Sequence, residues 1–248
     1  MRVTSRLLIV WTLAGLAAPF DGSLSAQTAS RGSTSLAPVP FAGCPSDGQT
    51  GPVDAPTTSV AEARVEAVAG LAARLTLYGS ATGIAVLGPR GWFCAGTFGS
   101  AQDSLVVTPM PIGRAAASTE DVGIRAIRAF GDTSGRFTVA QLAARVFPAA
   151  RSFVDHVVAE GRLPASDFPS GPFPGDRLTY RSDHIVEYET PARSEGLGTF
   201  FHLSPTDRPV RGVAVFTPDS TIRYVAVRLT PNLDDLAPVI IEQYEAQR

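Results

Sequence analysis

One stretch limits the folds open to this chain: LYGSATGIAVLGPRGWFCAGTFGSAQDSLVVTP, from Leu77 to Pro109. Ile84 to Leu87 is a short apolar run closed by Gly88-Pro89, and a run that short favours a buried strand over a helix. Trp92 to Gly96 and Leu105 to Thr108 read as two more strands, joined by the polar segment Gly99 to Ser104. Gly88-Pro89-Arg90-Gly91 reads as a sharp reversal, because proline fixes its φ and the flanking glycines tolerate unusual backbone angles. That turn puts Arg90 at an exposed tip with Trp92 just inside it. A guanidinium beside an indole can meet an anionic or planar ligand. An exposed turn arginine next to a core tryptophan is the structural alternative.

The start of the chain predicts an address. Arg2 and Arg6 precede an apolar run over 7–20, too short for a membrane span, and small residues lead to Ser25-Ala26. This is the pattern of a signal peptide over residues 1–26. Its removal takes away Arg2, Arg6 and Asp21 and leaves a mildly acidic chain. That balance excludes strong general attraction to nucleic acid or anionic membrane. No later stretch is long and apolar enough for a transmembrane span, so the expectation is a soluble periplasmic or secreted product. Phe41-Ala42-Gly43-Cys44 looks like a lipoprotein cleavage box, but it lies too far beyond the apolar run for signal peptidase.

The chain has two cysteines, and in an exported protein they predict one disulfide, Cys44–Cys94. Residues 27–57, rich in Ser, Thr, Ala, Pro and Gly, read as a disordered or extended leader pinned at Cys44. Residues 58–248 read as a single domain. Ser59 and Glu62 have capping-box spacing, and Val65, Val68, Leu71, Leu75 and Tyr78 make an apolar stripe, so a helix is expected over 60–78. Further helices are expected over 138–147 and 149–160, the second stopped by Gly161, and from Asp234 or Asp235 to Gln247. Strands are expected over 122–130, 177–181, 184–189 and 199–203, and a hairpin over 210–229 turns at Thr217-Pro218-Asp219-Ser220. The hairpin is apolar on both faces, so the sheet should be covered on both sides. The fold class is α+β: a mainly antiparallel sheet with several packed helices and a single disulfide.

Catalytic patterns are scarce. No Cys/His set has zinc spacing and no cofactor motif is present, so no metal or cofactor is expected. Gly131-Asp132-Thr133-Ser134-Gly135-Arg136 before a helix resembles a phosphate cradle only poorly and reads rather as an ordinary turn with a helix cap. Of the three histidines, His156 sits beside Asp155 on a helix, while His184 and His202 fall on expected strands, where either could act as a base to Ser100 or Ser104. The densest polar cluster runs from His184 to Pro191. Period two puts Glu187 and Glu189 on one strand face, where one needs a raised pKa or an arginine partner. Glu195 projects from a glycine-bounded turn. These carboxylates suit acid–base work or cation binding, or simply a solvated strand face with a polar loop.

The phrases Cys44-Pro45-Ser46-Asp47-Gly48-Gln49-Thr50-Gly51, Leu87 to Cys94 and Tyr188 to Thr199, with TP…EGLGT, resemble those of an uncharacterised family of exported bacterial proteins. The closing stretch from Val227 to Ile241 is similar too. The resemblance implies one family-wide domain and the Cys44–Cys94 pairing; it implies no activity. Two functions are compatible with all this. One is a non-catalytic extracytoplasmic binding or envelope-associated module, whose partner is a small molecule or an envelope component. The other is a small secreted hydrolase using a Glu/His site. The candidate ligand-binding residues are Arg90, Trp92, His184, Glu187, Glu189 and Glu195, and convergence of these side chains would favour the hydrolase.

Overall fold

The computed structural model describes residues 36–58, 66–112, 122–201 and 203–247, and the statements below concern these residues. The expected signal peptide and the first part of the leader lie outside them, as do the start of the expected helix over 60–78 and His202.

Thirteen strands and four α-helices are present among the described residues. In chain order the strands are β1 Leu36–Pro38, β2 Phe41–Cys44, β3 Ser46–Gly48, β4 Glu66–Val68, β5 Leu75–Ser80, β6 Ala85–Pro89, β7 Phe93–Phe98, β8 Gln102–Thr108 and β9 Gly123–Ala129. They continue as β10 Arg177–Ser182, β11 Ile185–Thr190, β12 Val210–Phe216 and β13 Ile222–Arg228. The helices are α1 Ala69–Ala72, α2 Arg136–Val146, α3 Arg151–Ala159 and α4 Ala237–Ala246.

The large sheet has eight strands in the order β10-β11-β12-β13-β9-β8-β7-β3, antiparallel except for the short β3–β7 pair. Two meanders build it. β7, β8 and β9 follow one another directly; the chain then crosses through α2 and α3 to the far edge and returns through β10 to β13. β13 closes the sheet on β9, with Ala129 opposite Ile222 and Gly123 opposite Arg228. A three-stranded sheet, β2-β5-β6, and a β1–β4 pair complete the strand set. The fold is therefore mainly β, with one large, mostly antiparallel sheet.

Alternation along the central strands decides how the sheet is covered. Val210, Ala214, Phe216, Ile222, Tyr224 and Ala226 join one core with α2 and α3, through Val139, Leu142, Val154 and Val157. Val213, Val215, Val225 and Val227 face the other way and join a second core with α4 and with Leu77, Val86 and Leu87 of the small sheet. Each fully buried aliphatic side chain of this kind contributes roughly 1.5–3 kcal/mol. The expectation of a sheet covered on both sides is met by helices on one face and a helix plus a small sheet on the other.

The disulfide joins β2 of the small sheet to β7 of the large one, with Cα atoms 5.3 Å apart and the cysteines 50 positions apart in sequence. Cys44 is fully buried.

Three sequence expectations are corrected. The apolar stripe over 60–78 does not continue as a helix: its described part is β4, the four-residue α1 and β5. All six residues of β5 are buried, and a strand buried on both faces carries apolar residues at every spacing, helical ones included. The leader from 36 to 48, expected as disordered or extended coil, forms β1, β2 and β3, because β2 pairs in parallel with β5 and β3 with β7. No strand forms at 199–203 among the described residues; a 3₁₀ turn, Leu197–Thr199, stands there instead. Other boundaries agree closely: Gly161 takes φ 65° just past α3, as a helix stop requires.

Candidate functional site

α4 lies across the face of the large sheet that carries Val213 and Val225, and beside it a cleft of about 800 Å³ opens toward the β10 edge. The walls follow from strand period. Val186 and Tyr188 of β11 enter the α2–α3 core, so Ile185, Glu187 and Glu189 point to the opposite face, into the cleft. In antiparallel register Thr179 lies opposite Glu187 and Arg177 opposite Glu189, which brings Arg177, Thr179 and Arg181 to the same wall. β12 adds Arg211, opposite Glu189. α4 closes the far side with Pro238, Ile241, Glu242 and Glu245.

The charges are arranged as a chain. Glu189 accepts from Arg177 at 2.8 Å and from Arg211 at 3.0 Å, and Arg211 also reaches Asp234 at 3.0 Å. Arg181 donates to Glu187 at 2.7 Å. The arginines are well exposed, Arg177 at 76 %, so such pairs contribute only about 0–1 kcal/mol each to stability. Their structural effect is orientation: they hold carboxylates and guanidiniums in place on the cleft wall. The carboxyl of Glu245 is held above the usual range, first by burial and then by the negative charge of Glu187; Arg181 opposes this. Arg181 pairs with Glu187 at this end, and at the other end Arg177, Glu189, Arg211 and Asp234 pair in sequence.

The remaining sequence candidates lie elsewhere. Arg90 is at the β6–β7 turn and donates to the carbonyls of Ala72 and Leu75. Trp92 packs against the second core, and its carbonyl accepts the Tyr78 hydroxyl. His184 stands in the β10–β11 turn rather than on a strand, and its ring stacks on Phe216, 6.2 Å between centroids, on the α2–α3 face. Glu187 and Glu189 face the other side, so His184 is not brought together with them. The Ser100 hydroxyl is engaged by Gln49 and that of Ser104 by Thr97. Arg90 and Glu195 lie at the same end of the large sheet, but β7 and β11 are five strand steps apart, a lateral offset on the order of 24 Å. Of the six candidates, the cleft gathers Glu187 and Glu189. Sequence reading missed Arg177, Arg181, Arg211, Glu242 and Glu245. The first two were within reach of it, since an antiparallel hairpin places them opposite the paired glutamates.

The phrase Thr190 to Thr199 has a structural duty. The Thr190 hydroxyl donates to Asp176 at 2.6 Å and accepts from the Gly198 N–H at 2.8 Å, while the Leu197 N–H donates to the other Asp176 oxygen at 2.8 Å. The Leu197 carbonyl accepts from the buried Tyr224 hydroxyl at 2.6 Å. A Cβ at Gly198 would stand 2.5 Å from the Val210 Cβ, and one at Gly196 would stand 2.1 Å from Asp176. Only glycine lets this turn press so close to the sheet. Glu195 itself is exposed at the edge of the turn. The Gly131–Arg136 segment is a hydrogen-bonded turn, without a side-chain cap on α2: the Thr133 hydroxyl accepts from the Gly135 N–H and donates to the Phe130 carbonyl.

Among the described residues no group of His, Cys, Asp and Glu side chains is placed to hold a metal ion, and no helix is long and apolar enough to cross a membrane. Compared with known protein families, curated proteins and solved structures, the chain finds no match.

Proposed function

We propose that this chain is an exported, non-catalytic binding module of the bacterial periplasm or exterior, and that the α4 cleft holds a small polar ligand carrying charges of both signs. The observation that carries this reading is the convergence of acidic and basic side chains from β10, β11, β12 and α4 on one cleft whose described walls contain no Ser, Cys or His. Specific polar groups set in a concavity with apolar patches, here Ile185, Pro238 and Ile241, are the usual make-up of a small-molecule site. The signal-peptide pattern at 1–26 and the resemblance to exported bacterial proteins support the location. Ligand-observed NMR with a panel of amino acids, dipeptides and polyamines tests the reading. A binder should be found, and Arg211→Ala should weaken it at least about tenfold, as loss of a charge-assisted hydrogen bond does. A panel without binders, or a binder indifferent to Arg211→Ala, would remove it.

A further inference from the structure

A second, smaller concavity of about 240 Å³ adjoins the cleft at Arg211, which lines both. Strand register explains the meeting. Arg177 lies opposite Glu189, Glu189 opposite Arg211, and Arg211 opposite Val227, so one lateral row runs from the β10 edge through β11 and β12 to β13. The cleft takes the outer part of that row. The smaller cavity takes its inner end, where Leu229, Pro209 and Pro231 join Val227. Complete small-molecule sites run from about 300 to about 1,000 Å³, so the cleft has room for a molecule and the smaller cavity only for one group of it. The two hollows also differ in charge. Four glutamates and three arginines line the cleft, whereas two arginines, Arg208 and Arg211, and one aspartate, Asp234, line the smaller cavity. Arg208 is fixed there by donating to the Leu229 carbonyl at 2.8 Å. Asp234 belongs to the 3₁₀ turn Pro231–Leu236, is well exposed, and reaches Arg211 at 3.0 Å. An exposed pair of this kind is weak, and another carboxylate can take its place.

We infer that the two hollows form one site for a short linear peptide that ends in an apolar residue. Its C-terminal carboxylate lies on Arg211 and Arg208, in place of Asp234. Its last side chain packs against Pro209, Val227, Leu229 and Pro231, and its N-terminal ammonium lies among the glutamates of the cleft. This rests on the cleft being a binding site and names what the cleft takes. Length agrees: the row from Arg177 to Val227 covers three strand steps, about 14 Å, which is the span of about four extended residues. Chemistry agrees as well. Arg211 keeps Glu189 through Nε, so its Nη1 can pass from Asp234 to a ligand carboxylate without disturbing the outer pairs. A polyamine brings no anion to Arg208 and Arg211, and a single amino acid covers only about 3.3 Å of the row.

The test is equilibrium dialysis of the native protein against pooled tripeptides ending in leucine, read by mass spectrometry. The pools are supplied as free acids, as C-terminal amides and as N-acetylated acids, beside a free-acid pool ending in glycine. Free acids ending in leucine should be retained at least about tenfold better than each of the other three pools, which lack the carboxylate, the ammonium or the apolar side chain. Asp234→Asn removes the internal competitor and should raise retention of the leucine acids about threefold or more while leaving the amides unchanged, a gain that a merely structural Asp234 would not produce. Equal retention of acids and amides overturns the inference, as does an Asp234→Asn variant with the native ratio of acid to amide. Peptides ignored by a protein that binds another small molecule through Arg211 would overturn the peptide assignment and leave the cleft reading standing. Absence of any binder would remove both.

Discussion

The Thr190 hydroxyl lies between Asp176 and Gly198, donating to the carboxylate at 2.6 Å and accepting the N–H at 2.8 Å. Both of its hydrogen-bonding roles are used, so the side chain cannot be exchanged for an isostere. Thr190→Val strips the buried Gly198 N–H of its acceptor and the half-buried Asp176 carboxyl of one of its two donors, and should cost about 1–3 kcal/mol. Urea denaturation with an unchanged m-value checks it. Glu195→Ala, five residues on and exposed, should stay within about 0.5 kcal/mol of the native protein.

That same network makes a pH prediction. Burial holds the Asp176 carboxyl above its ordinary range, and the Thr190 and Leu197 hydrogen bonds pull it back. With the folded pKa above the unfolded one, the native state binds the proton more readily. The stability contribution is therefore largest below the unfolded pKa and is lost as pH rises through the folded value. Thr190→Val removes one of the opposing bonds and pushes the carboxyl further up. The stability gap between variant and native protein should widen from about pH 4 to about pH 7. A gap constant over that range would show that Thr190 does not act through Asp176.

Gly212 explains how a large ring crosses the sheet. A Cβ there would stand 1.9 Å from the Val225 carbonyl oxygen and 2.4 Å from the Tyr188 hydroxyl, which itself donates to that carbonyl at 2.9 Å. Gly212→Ala must displace the strand or the tyrosine, and overpacking of this sort costs about 1–3 kcal/mol. The lost Tyr188 bond should show as a changed tyrosine near-ultraviolet signal, since Tyr188 stacks on Tyr224 with 5.7 Å between centroids.

The disulfide closes a loop of 50 positions. In the chain-entropy account such a loop stabilises by about 4 kcal/mol. Cys44→Ser with Cys94→Ser should lower the unfolding free energy by an amount of that order, and thiol titration of the unreduced native protein should find none free. Two titratable thiols would contradict the pairing.

Legibility in the sequence followed physical uniqueness. The β12–β13 hairpin was readable because β-branched runs flank a Pro-Asp turn, and the two-sided apolar pattern there correctly implied cover on both faces. Gly161 was readable because a positive φ at a helix end needs glycine. The Leu75–Ser80 strand was not, since complete burial erases the period that separates strand from helix. Asp234 and Asp235 looked like caps for α4, but they pair with Arg211 and Arg74, and Leu236 stands at the helix start. Long-range partners of that kind leave no local trace. The cleft was half readable: period two put Glu187 and Glu189 together, while the helix that faces them arrives some fifty residues later.

The pairing of β9 with β13 also sets an order of events. Ala129 finds its partner in Ile222, so β9 stays an open edge until nearly the whole chain is available. A nascent chain ending before β13 presents that edge with Ile124 and Ala126 bare on one side and Ile127 on the other, an invitation to intermolecular pairing. The β12–β13 hairpin, which follows β9 only after α2, α3, β10 and β11, is the piece that makes the earlier meander safe.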